Sequence, residues 1–316
     1  MSTHETPAIG VSGLRRSYGT GAHAFEAVRG VDLDVPAGTI TALLGTNGAG
    51  KTSTLEVIEG LATASAGTVR VLGLDPVADR DEVRRHTGVL LQRSGFSGDL
   101  TVHETLRMWR ATVTSPRSAD ESLAMLRLTD RADVPVRALS GGEQRRLDLA
   151  CTLMGHPDVV LLDEPTTGLD PESRRDVWRL VRGLRDEGTT VLLTTHYLDE
   201  AEALADRLEI MHAGRIVRSG TPAEIAAGHP STISFATLPE LPWLPHLDAR
   251  RVVEERGVTT IETDDLQGVL TDLLIRAARH GVRLEGLEAR TASLESVFLA
   301  IADQPQSRHE TEGALR

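Results

Sequence analysis

The stretch GTITALLGTNGAGKTSTLEVIEGL, residues 38–61, constrains this chain more than any other. A short β-branched and apolar run leads into Gly45, and a helical pattern begins at Lys51. Gly45, Gly50, Lys51 and Thr52 fit G-x-x-x-x-G-K-[ST] between a strand and a helix, the context in which that spacing forms a phosphate-binding loop. The turn through Thr46, Asn47, Gly48 and Ala49 points backbone N–H groups at phosphate oxygens, and the helix start at Lys51, Thr52 and Ser53 adds its positive end. The Thr52 hydroxyl suits Mg²⁺. Composition sharpens the assignment, because Lys51 is the only lysine among 34 basic residues. A lysine ammonium is compact on a flexible stem, whereas the arginine fork is broad and planar and does not fit such a nest.

Around this loop the first two-thirds of the chain alternates strands and helices, the pattern of an α/β domain with a parallel sheet. TGVLLQ (87–92), DVVLLDE (158–164) and TTVLLTTH (189–196) read as further buried strands. The segment from 93 to 157 is helical in pattern and reads as an inserted subdomain. Beyond about residue 230 come a proline-rich connector (236–247), a hairpin, a helix and a last apolar segment, which suggest a small α+β domain over 231–302. Residues 303–316 have the polar composition of a disordered tail.

Two further blocks carry chemistry. In VVLLDEPTTGLD, Asp163 and Glu164 close an apolar strand, and strand alternation is expected to throw their carboxylates to different sides. Asp163 suits a metal shell, and Glu164 suits polarising an attacking water. In LSGGEQRRLDLACTLM, Ser140, Gly141 and Gly142 begin a helix whose inner face is Leu147, Ala150, Cys151 and Met154. The start of that helix is a second candidate anion site. Arg145 and Arg146 read equally as a solvated face or as partners for acids. Guanine-specific enzymes are excluded, since an N-K-x-D reader needs a second lysine.

The net charge of −12 argues against a nucleic-acid partner, and no run approaches the length of a spanning helix. The N-terminus lacks the basic start and apolar run of a secretory signal. A lone cysteine forms no internal disulfide.

Taken together, GTNGAGKT, LSGGEQ and VVLLDEPTTGLD resemble the nucleotide-binding subunits of ABC transporters across residues 8–230. The resemblance implies a P-loop NTPase of the ABC ATPase type, with ATP and Mg²⁺ as ligands. It places Gln92 at the family's Q-loop, reaching metal and water, and His196 at the switch histidine that contacts the γ-phosphate. Asp170 falls at the D-loop, and Tyr18 where the family stacks an aromatic on adenine. Glu143 stands where the family's signature usually has glutamine, and Thr46 where its loop usually has proline. Ser140 and its glycines are expected to meet ATP held by an opposing copy, which makes the working form a head-to-tail homodimer.

AVRGVDLDVPAGTITALLGTNGAGKT, LTVHETL, LDEPTTGLDP, the segment after His196 and SLESVFLAIA are together similar to the daunorubicin-resistance type of exporter ATPase. That resemblance implies drug efflux through a separate transmembrane subunit, at the cytoplasmic face of the membrane, with LTVHETLRMW in the docking surface. Other cargoes (lipid, polysaccharide, ion) remain open, as does an ABC ATPase without a channel. A small-molecule kinase has no use for LSGGEQ or His196.

Overall fold

The computed structural model describes residues 6–19, 21, 24–91, 95–227, 229–238, 241, 244 and 247–302. The chain divides into two compact units, Met1–Thr221 and Pro222–Arg316.

The first unit opens with β1 (Ile9–Tyr18), β2 (Phe25–Val35), β3 (Ile40–Gly45), α1 (Lys51–Ile58), β4 (Ala66–Val71), α2 (Arg80–His86) and β5 (Thr87–Leu90). Helices α3 (Val102–Arg110), α4 (Ala119–Met125) and α5 (Gly141–Thr152) follow. The unit continues with β6 (Val159–Asp163), α6 (Pro171–Asp186), β7 (Thr190–Thr195), α7 (Leu198–Leu204), β8 (Arg207–His212) and β9 (Arg215–Gly220). Six strands form a sheet ordered β5-β6-β7-β3-β8-β9, parallel except for β9. Every residue of β3, β6 and β7 is buried, which explains their near-continuous apolar runs: a parallel sheet covered on both faces has no polar side. A second, antiparallel sheet, β2-β1-β4, shares a core with Leu43, Leu55 and Ile58.

Register positions the chemistry. Because β3, β6 and β7 are parallel, their C-terminal ends meet at one edge. Leu44 pairs with Thr195 and Asp163 with Thr194, so the phosphate loop, Asp163, Glu164 and His196 leave the sheet side by side.

The second unit holds α8 (Pro222–Ala227), β10 (Ser231–Ala236), β11 (Arg251–Glu255), β12 (Val258–Thr263), α9 (Leu266–Arg279), β13 (Glu288–Arg290) and α10 (Leu294–Ala302). Its antiparallel sheet runs β11-β12-β10-β13. The division falls earlier than residue 230 because α8 packs with α10 and so belongs to this unit. The proline-rich segment is more than a connector: Leu244 and Leu247 are buried in this unit's core beside Phe235, Ile261 and Leu273. The tail at 303–316 lies outside the described residues.

Candidate functional site: a phosphate cradle beside paired carboxylates

The phosphate loop is shaped by close backbone approach. A Cβ on Gly50 would stand 2.5 Å from the Ala27 carbonyl oxygen, and Gly50 takes φ +104°, so only glycine fits. Gly45 is equally confined, 2.5 Å from the Met211 carbonyl oxygen. Helix α1 starts at Gly50 without a side-chain cap, which leaves its first amides for a ligand. Lys51 is only 5% exposed and folds back on the loop, donating from Nζ to the carbonyls of Gly45 (2.9 Å) and Thr46 (3.2 Å). Burial lowers its pKa, opposed by the negative charge of Glu164 and Asp163. Asn47 and Gly48 are exposed at the tip of the turn, while Ala49 is buried.

Asp163, the last residue of β6, accepts a hydrogen bond from Thr194 Oγ1 and lies 3.5 Å from Thr52 Oγ1. Burial raises its pKa, which the Thr194 hydroxyl partly offsets. The Asp163 carboxylate and the Thr52 hydroxyl beside a phosphate loop fit Mg²⁺, which takes few protein oxygens and keeps phosphate and water in its remaining positions. Glu164 does not continue the strand. It takes φ +47°, an uncommon conformation for a residue with a side chain, so its separation from Asp163 comes from a left-handed turn rather than from strand alternation. Its backbone N–H donates to Thr194, its Oε2 accepts from Thr167 Oγ1 at 3.1 Å, and its Oε1 meets His196 Nδ1 at 3.0 Å. His196 in turn packs on the Tyr197 ring, with centroids 4.1 Å apart.

A pocket of about 360 Å³ faces the loop and is lined by Tyr18, Phe25, Lys51, Thr52, Ser53 and Glu164, among others. The Tyr18 hydroxyl donates to Glu56 (3.0 Å) and lies 3.1 Å from the Ser53 hydroxyl, and Arg16 covers one face of its ring. Phe25, paired with Tyr18 across β1 and β2, is the more exposed aromatic at this mouth. Sequence reasoning missed it, although a strand pairing of residues 18 and 25 is the signal that would have found it. Ser140, Gly141, Gly142, Glu143 and Asp170 line no part of this pocket. Ser140 caps α5 and Asp170 caps α6, accepting from the amides of Glu172 and Ser173 at 3.0 Å. The two helix starts adjoin, since a Cβ on Gly142 would stand 2.6 Å from Ser173 Oγ. Gln92 lies outside the described residues.

Arg145 resolves the alternative left open by the sequence. Arg145 is 7% exposed, and its guanidinium donates to four backbone carbonyls, those of Leu91 (2.7 Å), Asp163 (2.9 Å), Glu164 (3.0 Å) and Pro165 (2.9 Å). One side chain thus ties α5 to the carboxylate turn and to the residue before Gln92. Cys151 is buried beside Leu147, Ala150 and Met154, as its spacing suggested, and burial pushes its thiol up and out of reactive range.

A parallel sheet whose first loop cradles phosphate beside a strand-end carboxylate pair defines a P-loop nucleotide hydrolase. Comparisons with known proteins narrow the class. The family description "ABC transporter" matches residues 28–167, and "ABC transporter domain-containing protein-like, C-terminal domain" matches residues 225–293. The chain is 38% identical to the daunorubicin/doxorubicin resistance ATP-binding protein of Streptomyces peucetius, over 99% of this chain and 98% of that protein. It is 35% identical to Nod factor export ATP-binding protein I of Ralstonia nicotianae, over 94% of each. A solved ATP-binding cassette, a dimer in a post-hydrolysis state with ADP and Pi, superposes with a TM-score of 0.62 at 25% identity, covering 67% of this chain and 98% of that one. The chain belongs to the ABC transporter family as an ATP-binding subunit, and it is an ATPase.

Proposed function

We propose that this ATPase energises efflux of a drug or antibiotic-like compound through a separate transmembrane subunit, working as a peripheral protein at the cytoplasmic face of the membrane. The drug-resistance relative matched over nearly the whole chain supports that cargo, and the Nod factor relative keeps a second export cargo in view. Among the described residues no helix is long and apolar enough to cross a membrane, in keeping with a partner that supplies the path.

The observation that carries the chemistry is the 3.0 Å contact of Glu164 with His196 at the sheet edge shared with Lys51 and Thr52. ATP entering the cradle exchanges the loop's own carbonyls for phosphate oxygens at Lys51 Nζ. Thr52 and Asp163 would hold Mg²⁺, which when bound would neutralise phosphate charge. Glu164 takes the proton of the attacking water, with His196 orienting its carboxylate, and the likeness to the family's Q-loop supports a role for Gln92 toward metal and water. Tyr18 and Phe25 offer the adenine a ring surface. Ser140, Gly141, Gly142 and Asp170 lie away from this pocket and serve the ATP of a second copy, with Glu143 closing the Ser140 cap at the same helix start, so two chains sandwich two nucleotides. The matched cassette was solved as a dimer, which supports that arrangement. The segment after Gln92 that includes LTVHETLRMW and runs through α3 receives the membrane subunit.

Glu164→Gln tests the reading. It removes the base, slowing turnover by about 10²–10⁴-fold. It also removes negative charge beside the γ-phosphate, so the variant is expected to dimerise with Mg·ATP and revert with ADP. Light scattering after size exclusion reads both. A variant that binds ATP, hydrolyses it at the wild-type rate and stays monomeric overturns the roles given to Glu164 and to the shared site.

A further inference from the structure

Strand β7 ends at Thr195, and the two rings that follow do not part as successive strand residues do. The Tyr197 N–H donates to Thr195 Oγ1 at 3.0 Å, a side-chain turn that bends the backbone. The His196 and Tyr197 rings thereby come together, with 4.1 Å between centroids and 39° between planes. Arg174, in the first turn of α6, meets the same tyrosine: its guanidinium carbon lies over the ring, 4.7 Å from the centroid. Asp199 Oδ2 accepts from Arg174 Nη1 at 3.0 Å, while Arg174 Nε is buried with no hydrogen-bond partner among the described residues. The guanidinium therefore owes its place to the ring and to Asp199. Neither His196 nor Tyr197 is fully buried, so packing in the sheet core does not account for the stack. His196 has one polar anchor at the site, the 3.0 Å contact of Nδ1 with Glu164. A single hydrogen bond sets a distance but leaves the imidazole free to turn about it, and the outer torsion of histidine is soft. A flat neighbour against the ring takes that freedom away.

Resting on the reading that His196 orients Glu164, we infer that Tyr197 is a positioning residue for ATP hydrolysis: its ring fixes the plane of the His196 imidazole, and Arg174 holds the ring. Tyr197 acts through His196 and needs no contact with nucleotide. The ring face carries the role, so phenylalanine serves as well as tyrosine. A residue that merely held the fold together would slow every variant alike. One that acts through the imidazole loses its effect once the imidazole is gone.

The test measures single-turnover ATP hydrolysis and calorimetric ATP binding on the full-length chain. His196→Ala checks the underlying reading and is expected to slow hydrolysis by about 10²-fold. Tyr197→Leu is expected to slow it by about tenfold with the Kd for ATP within about twofold, and Tyr197→Phe to stay within about twofold of wild type on both. Arg174→Met, which leaves the ring unheld, is expected to slow hydrolysis by about threefold. In the His196→Ala background, Tyr197→Leu is expected to change the rate by less than about twofold. If Tyr197→Leu hydrolyses at the wild-type rate while His196→Ala is slow, His196 keeps its role and that of Tyr197 is overturned. Losses that multiply in the double variant, or a phenylalanine variant as slow as the leucine one, overturn it equally. A wild-type rate in Arg174→Met overturns the part given to Arg174. Wild-type hydrolysis by His196→Ala overturns the reading of His196 and this proposal with it. Should Tyr197→Leu fail to fold by thermal melt, Tyr197→Met (no ring) and Tyr197→Trp (ring kept) carry the same comparison.

Discussion

Helices α1 and α5 both begin at glycine-rich turns, and the two starts are prepared for an anion in opposite ways. The start of α1 has no side-chain cap and a cation, Lys51, at its first position. The start of α5 is closed by a reciprocal box: Ser140 Oγ accepts from the Glu143 amide at 3.2 Å, and Glu143 Oε2 accepts from the Ser140 amide at 2.8 Å. Arg131 holds the other carboxylate oxygen at 2.7 Å. The Ser140 amide holds the Glu143 carboxyl below its usual range, so this helix start already carries an anion of its own. An incoming phosphate finds amides and a cation at α1, but a standing negative charge at α5. The first site is complete within one chain. In the proposed dimer, the second meets a phosphate already neutralised by the other chain's lysine and metal.

The largest test of this contrast is at α1. Lys51→Arg is expected to lose turnover nearly as fully as Lys51→Ala, by about 10²–10³-fold, because the confined loop admits an ammonium and crowds a guanidinium. Steady-state ATPase assays read it, and a near-wild-type arginine variant removes the geometric argument. Next comes the link between the two helices. Arg145→Met strands four carbonyls and releases the left-handed turn at Glu164, so kcat should fall on the order of 10–100-fold while the Kd for ATP changes less than about twofold. Calorimetric binding beside kinetics in the cold separates that loss from simple unfolding; an unchanged kcat would sink the link. At α5 the effect is smaller and of opposite sign. In the Glu164→Gln background, Glu143→Gln should tighten the ATP-dependent dimer by about 5–10-fold, since a like charge leaves the phosphate's approach. Sedimentation equilibrium measures it, and a weaker dimer would show that the carboxylate helps rather than opposes. Smallest is Ser140→Ala, which removes a cap worth about 1 kcal/mol and should lower Tm by a few degrees without altering ATP affinity of the isolated chain.

How much of this was legible in the sequence follows the same division. The phosphate loop, the buried strands and the Asp163–Glu164 pair were readable because each depends on local spacing, and family membership followed from them. The Ser140–Glu143 box was also local and was overlooked: Glu143 drew notice as a replacement for glutamine, while serine followed three residues later by glutamate is itself a capping signature. Arg145 was not readable. A guanidinium that ends on backbone carbonyls from two other segments leaves no trace in periodicity, and Arg146 beside it has the same local character. Nor was the turn at Glu164, where strand alternation gave the right separation of carboxylates for the wrong reason. The buried leucines of the proline-rich segment were hidden because proline content speaks of backbone shape and says nothing of what the chain covers.

The solitary lysine has a practical consequence. Lys51 Nζ is the one lysine amine in this sequence for an acylating reagent to find. That amine sits in the cradle with its proton affinity reduced by burial, and in the proposed site nucleotide phosphate would shield it. The speed at which Lys51 is acylated is therefore a stopwatch for vacancy of the nucleotide site, and a lysine-specific endoproteinase has one bond to cut. The protein reports its own occupancy by ordinary mass spectrometry, in detergent or in a native membrane, with no residue engineered into it.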